Sequence, residues 1–394
     1  MTHTHIPLAF LMLAATASAA QRPERGRDVG IPFEGTAGPL NAITDVGGVE
    51  VGHRTLLAGS GKLIVGKGPV RTGVTAIFPR GRDSDDPVFA GWFTMNGNGE
   101  MTGTTWVEES GFLSGPVMIT NTHSVGVVRD AVIEWVVRRG RMLHDEWSLP
   151  VVAETWDGEL NDINGFHVTK QDAWAAMDNA RGGRVAEGSV GGGTGMICNQ
   201  FKGGIGTASR RLDPQDGGYT VGVLVQCNYG RRRYLRIAGV PVGQEISDLV
   251  PCRAPCAGGR SGRAVVPADV GSIIIVVATD APLVPHQLKR VARRAGLGVG
   301  RLGGVASNSS GDIFIAFSTA NARASRDSGL AQVSMVSNEQ ITPLFEATVQ
   351  ATEEAIVNAM LAAQTMTGAD DLTVYGLPHD RLRAVLRKYN RLGP

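Results

Sequence analysis

The chain has 394 residues, 38 Lys and Arg against 37 Asp and Glu, 42% hydrophobic residues and 53 glycines. That length and apolar fraction describe a globular protein with a substantial core and exclude a disordered chain. A net charge of +1 without a basic block excludes a phosphate-binding nucleic-acid surface. The glycines follow no G-X-Y period, which excludes collagen, and they fall between apolar runs as turns and close backbone approaches.

Residues 1–20 read as an export signal. Ile6 to Ala15 is an apolar run too short to span a bilayer, and Ala17-Ser18-Ala19 supplies the small residues of a cleavage site. The mature chain, 21–394, is then expected in the periplasm or outside the cell, where disulfides persist. Short β-type runs separated by glycine clusters occupy Ile31 to about Gly140, and a helix is expected over Ser124–Trp135, with polar caps in Asn121, Thr122 and Ser124. Strand-like runs follow at Pro150–Thr155, Gly203–Ser209 and Tyr219–Asn228. Gly230 to Gly271, rich in Arg, Gly and Pro, reads as a long connection.

Ser272–Thr279 is the strongest buried-strand signal in the chain, apolar on both faces. After it the patterning predicts an amphipathic helix at Pro285–Ala295, a strand at Asp312–Ser318 and a long Ala-rich helix at Thr342–Gln364. Strands interleaved with helices in this order indicate an α/β layered domain. Cys198 and Cys227, each in an apolar stretch, read as small buried hydrophobes. Cys252 and Cys256 are close enough to bridge locally or to bind metal, and no second pair at zinc spacing accompanies them.

Three familiar chemistries fail on spacing. His53, His123, His144, His167, His286 and His379 stand singly, so no metal centre is expected. The run Gly188–Gly195 lacks the Lys-Ser/Thr ending of a phosphate loop, and no G-x-S-x-G elbow precedes a helix. The unusual position is Gly271-Ser272, a serine that opens an aliphatic strand directly after a glycine-rich connection. It has two readings: a polar strand boundary, or a self-cleaving nucleophile whose hydroxyl attacks the Gly271 carbonyl. In the second, Ser272 becomes a new amino terminus, and its α-amine, with a reference pKa near 7.7–8.0, serves as base for its own hydroxyl. Ser310 and Asp312, two apart at a strand start, point to one face and can orient a nucleophile and relay its proton.

The motifs, taken in order, resemble a known family. They are Asn41–Val46 with Val49–His53, Thr72–Ile77, Asn96–Glu100, Thr120–Gly126, Gly191–Met196, Ser272 through Pro282, and Ser310-Gly311-Asp312. Together they resemble the DmpA and β-peptidyl aminopeptidase family of exported, self-processing serine aminopeptidases. The resemblance implies an αββα sandwich similar to the N-terminal nucleophile hydrolases, cleaved into a large chain, 21–271, and a small chain, 272–394, that stay together and assemble into homo-oligomers. It implies Ser272 as nucleophile, Ser310 with Asp312 as its support, and Asn228 as donor to the oxyanion, with no cofactor.

Where family members place a Tyr or Glu near the substrate, this chain has Glu154 and Trp156. An indole donates through one N–H and cannot accept, which leaves the role of Trp156 open, while Glu154 is a candidate for holding the substrate's ammonium. The expected partner is a small peptide, amide or ester with a free amino group. The rivals are an acyltransferase like the ornithine acetyltransferases and a non-enzymatic exported binding protein.

Overall fold

The computed structural model describes residues 24–142, 144–253, 256, 271–325 and 329–392. The expected export signal, and most of the run before Gly271, lie outside the described residues. Ten strands build the core: β1 (Glu50–Ala58), β2 (Val70–Phe78), β3 (Val88–Gly97), β4 (Phe112–Leu113), β5 (Val117–Thr120), β6 (Val151–Glu154), β7 (Gly204–Arg211), β8 (Thr220–Asn228), β9 (Ser272–Thr279) and β10 (Gly311–Ser318). They form a four-stranded sheet, β1-β2-β5-β6, and a six-stranded sheet, β4-β3-β10-β9-β8-β7.

The period-2 alternation of β9 explains the layers. Ile274, Val276 and Ala278 pack with Ile77, Val117 and Ile119 of the other sheet, whereas Ile273, Ile275 and Val277 pack against helices. Two helices cover the outer face of the four-stranded sheet, α1 (Val125–Arg138) and α2 (Lys170–Asp178), and two cover the six-stranded sheet, α3 (Pro285–Arg301) and α4 (Thr342–Ala362). The order is therefore helix, sheet, sheet, helix. β9 and β10 run parallel, with α3 as the crossover that parallel pairing requires.

The differences from the expected elements have physical reasons. α3 continues past Ala295 through three glycines because it approaches α4 closely: a Cβ at Gly298 would lie 2.7 Å from the Thr352 Cβ. α2 was not expected from the apolar pattern, yet a capping box announces it, with Thr169 N–H donating to Asp172 Oδ2 at 3.0 Å. Cys198 and Cys227 are buried as expected, but as a disulfide with a Cα–Cα separation of 5.5 Å, which corrects their reading as separate hydrophobes. Cys252 and Cys256 also pair.

Candidate active site

Three strand ends meet at Ser272. In the ladder it lies opposite Asn228, the last residue of β8, and beside Gly311, the first of β10. Alternation puts the Ser272 side chain on the face of Ile274, toward the second sheet. Its hydroxyl is nearly buried and accepts the Gly311 N–H at 3.1 Å. The same N–H lies 3.3 Å from the Gly271 carbonyl oxygen, so the hydroxyl and the carbonyl before it share one donor.

Ser310 and Asp312 flank that donor. The Ser310 hydroxyl donates to Asp312 Oδ1 at 2.6 Å, and both residues are buried. The Asn96–Glu100 loop holds the segment from outside: Asn98 N–H donates to Ser310 O at 3.2 Å and Asn98 Nδ2 to Ser309 O at 2.8 Å. Gly99 permits this close approach, since a Cβ on it would lie a tight 3.1 Å from both Gly311 Cα and Glu154 Oε1. Glu154, at the end of β6, is thereby placed beside the strand end that carries Ser272. Its carboxylate accepts the Glu100 N–H at 3.0 Å and the Thr122 hydroxyl, while burial pushes its pKa up against those bonds.

Asn228 is gripped at both ends of its amide. Oδ1 accepts the Ile197 N–H at 2.7 Å, and Nδ2 donates to the Trp156 carbonyl at 2.8 Å. A side-chain amide has two N–H groups, so this grip leaves one to give. Trp156 thus enters the site through its backbone carbonyl, while its indole packs over Gly158, where a Cβ would lie 2.6 Å from Trp156 Cζ2.

Two charged residues beside this grip carried no sequence signal. Asp157 is fully buried, and desolvation raises its pKa to about 6 despite hydrogen bonds from neighbours that include Asn161 Nδ2 at 3.0 Å. Lys202 is also fully buried, and its Nζ donates to the carbonyls of Met196 and Gly203 at 2.8 and 2.9 Å. Desolvation lowers its pKa to about 7, with the Asp157 charge opposing. Neither stands in a spacing motif, because what groups them is the return of the chain at 196–203 beneath β6 and β8.

A serine opening a buried strand of a four-layer αββα sandwich, with a backbone N–H donated to its hydroxyl, defines an N-terminal nucleophile type of hydrolase fold. The comparisons identify the family: residues 41–374 match peptidase family S58, and the chain belongs to it. It is 56% identical to the β-peptidyl aminopeptidase BapA of Sphingosinicella microcystinivorans, over 97% of this chain and 96% of that protein. The solved L-aminopeptidase D-Ala-esterase/amidase of Ochrobactrum anthropi, described as a prototype for the serine aminopeptidases and a variant of the Ntn hydrolase fold, superposes with a TM-score of 0.86. That match has 50% identity and covers 94% of this chain and all of that one. A Burkholderia sp. β-aminopeptidase follows at a TM-score of 0.82 and 47% identity, covering 93% of this chain and 99% of that one. The chain is a serine aminopeptidase with an Ntn hydrolase fold.

Proposed function

We propose that this is an exported aminopeptidase that cuts itself before Ser272 and then removes the first residue from small peptides, amides and esters through an acyl-enzyme on the Ser272 hydroxyl. The observation that carries the reading is the Gly311 N–H shared between the Ser272 hydroxyl and the Gly271 carbonyl. A donor there polarises the carbonyl that the hydroxyl would attack. In the cut, the Ser272 Oγ–Gly271 C bond forms, the Gly271 C–Ser272 N bond breaks, and the hydroxyl proton passes to the nitrogen. Water then splits the ester, leaving the Gly271 carboxylate and a free Ser272 amine.

In turnover that amine takes the hydroxyl proton as Ser272 attacks the substrate carbonyl and gives it to the departing amine or alcohol; water then attacks the acyl-enzyme, releasing the first residue as its acid and returning a proton to the Ser272 oxygen. The free Asn228 N–H serves the tetrahedral oxyanion, a kind of donor whose loss costs about 10²–10³ in rate. Ser310 and Asp312 hold the segment that presents the Gly311 N–H. Glu154 receives the substrate's ammonium, which restricts the enzyme to free amino termini. The name of the BapA relative favours a β-amino acid as the first residue, and that of the Ochrobactrum neighbour adds L- and D-residues as alternatives.

The test is the intact mass and amino-terminal sequence of the purified protein beside Ser272→Ala. The expected wild type is two chains, one beginning near residue 21 and one at Ser272, and the expected variant is a single chain without peptidase activity. An uncut, active wild type, or an active Ser272→Ala protein, overturns the reading.

A further inference from the structure

Lys202 is a fully buried lysine outside the residues that the reaction uses directly. Burying an ammonium is costly, and lysine is almost never found fully buried unless it is paired. A methionine would fill the same space at less cost. The partners of Lys202 indicate what it does. Its Nζ donates to the carbonyl of Met196 at 2.8 Å, and that carbonyl belongs to the same planar peptide group as the Ile197 N–H. The Ile197 N–H donates to Asn228 Oδ1 at 2.7 Å, and Asn228 Nδ2 keeps one hydrogen after binding the Trp156 carbonyl.

We propose that Lys202 is a positioning residue for the oxyanion donor, acting through two amide groups in series, the Met196–Ile197 peptide and the Asn228 side chain. The inference rests on the assignment of Asn228 to the oxyanion. Holding the Met196 carbonyl fixes the direction of the Ile197 N–H, because the peptide group is planar. Withdrawing electrons at the carbonyl also makes that N–H a stronger donor, and hydrogen bonds in a chain polarise one another in the same sense. The Asn228 amide, drawn at its oxygen, becomes a stronger donor at its remaining N–H. The second bond of Lys202, to Gly203 O at 2.9 Å, and the Gly203 N–H to Met196 O bond at 2.8 Å lock the turn so that the peptide cannot rotate away. Asp157 follows the residue whose carbonyl takes the other end of Asn228, and its charge opposes the loss of the Lys202 proton.

The experiment measures kcat and KM on alanyl and β-alanyl p-nitroanilides for the full-length, processed Lys202→Met, Asn228→Ala and doubly substituted enzymes. Lys202→Met is expected to lower kcat about tenfold with KM within about twofold, because the effect lies in the transition state. The double variant should fall no lower than Asn228→Ala alone, since both changes act on one donor. A Lys202→Met enzyme with undiminished kcat, or losses that multiply in the double variant, overturns the inference while Asn228→Ala remains impaired. An Asn228→Ala enzyme with full kcat overturns the oxyanion assignment and the inference with it. If Lys202→Met does not accumulate, Lys202→Leu, an apolar side chain that likewise removes the donor, takes its place under the same criteria.

Discussion

Two buried polar clusters lie at opposite ends of the same strands, and they differ in what they leave over. Arg210 pairs in the ladder with Val221, which pairs with Thr279, so it sits at the far end of β8 and β9 from Asn228 and Ser272. There the Glu354 carboxylate, fully buried, receives Arg210 at 2.8 Å, Arg27 at 3.1 Å and Asn41 Nδ2 at 2.6 Å. Close by, Glu187 accepts an Arg25 guanidinium N–H at 3.2 Å and the Thr207 N–H at 2.9 Å, with Arg25 Nε 2.8 Å away in the ion pair. Both carboxylates are closed by partners from distant parts of the chain. At the other end Asn121 Oδ1 and Gln226 Oε1 are buried without hydrogen-bond partners, and Asn228 keeps an N–H. Closed polar clusters fix the fold, whereas catalysis needs groups with hydrogen-bonding capacity in reserve, held in place by others that have none.

The contrast breaks most visibly at Glu354. Glu354→Ala leaves the buried Arg210 guanidinium without its countercharge and should lower unfolding free energy by about 3–5 kcal/mol in denaturant titrations, while kcat per folded molecule stays unchanged. A proportional fall in kcat would show that the two ends are not separate.

His53 tests a third arrangement, a half-buried ring with one partner. Its Nδ1 lies 3.0 Å from the Thr75 hydroxyl, its Nε2 has no partner, and burial lowers its pKa to about 4 from 6.5. The unfolded chain therefore binds a proton between pH 6.5 and 4 that the folded one refuses, so stability is lost as the pH falls through that window. The loss should reach on the order of 3 kcal/mol beyond that of a His53→Asn protein at pH 4. Equal pH dependence of the two proteins would reject it.

The smallest expected effect concerns Glu154, whose two accepted bonds leave lone pairs for a cation. Glu154→Gln should raise KM for free-amine substrates by roughly 10- to 100-fold, the worth of one charged hydrogen bond, and leave the melting temperature near that of the wild type. Unchanged affinity for the free amine would remove Glu154 from substrate binding and return it to the closed kind of cluster.

The legibility of the chain follows the range of the interactions. The β9 strand was read with its bounds intact, Ser272–Thr279, because aliphatic residues on both faces are a local pattern. Ser310 and Asp312 were placed on one face by two-residue spacing, and they bond at 2.6 Å. α2 could have been found from its capping box, which is local as well. The Cys198–Cys227 pair, the Glu154–Gly99–Gly311 contact and Lys202 could not. Each depends on which strands become neighbours.

The sequence by itself therefore determined the layered α/β class, the buried strand with a serine at its head, and, through motifs in order, the family. Only the tertiary structure decided which N–H meets the Ser272 hydroxyl, how the Asn228 amide is turned, and that a lysine is buried beside it. The physical reason is that periodicity and turn chemistry act over a few residues, whereas a hydrogen bond such as that from Asn228 to Trp156 spans 72 positions and exists only after the sheets have paired.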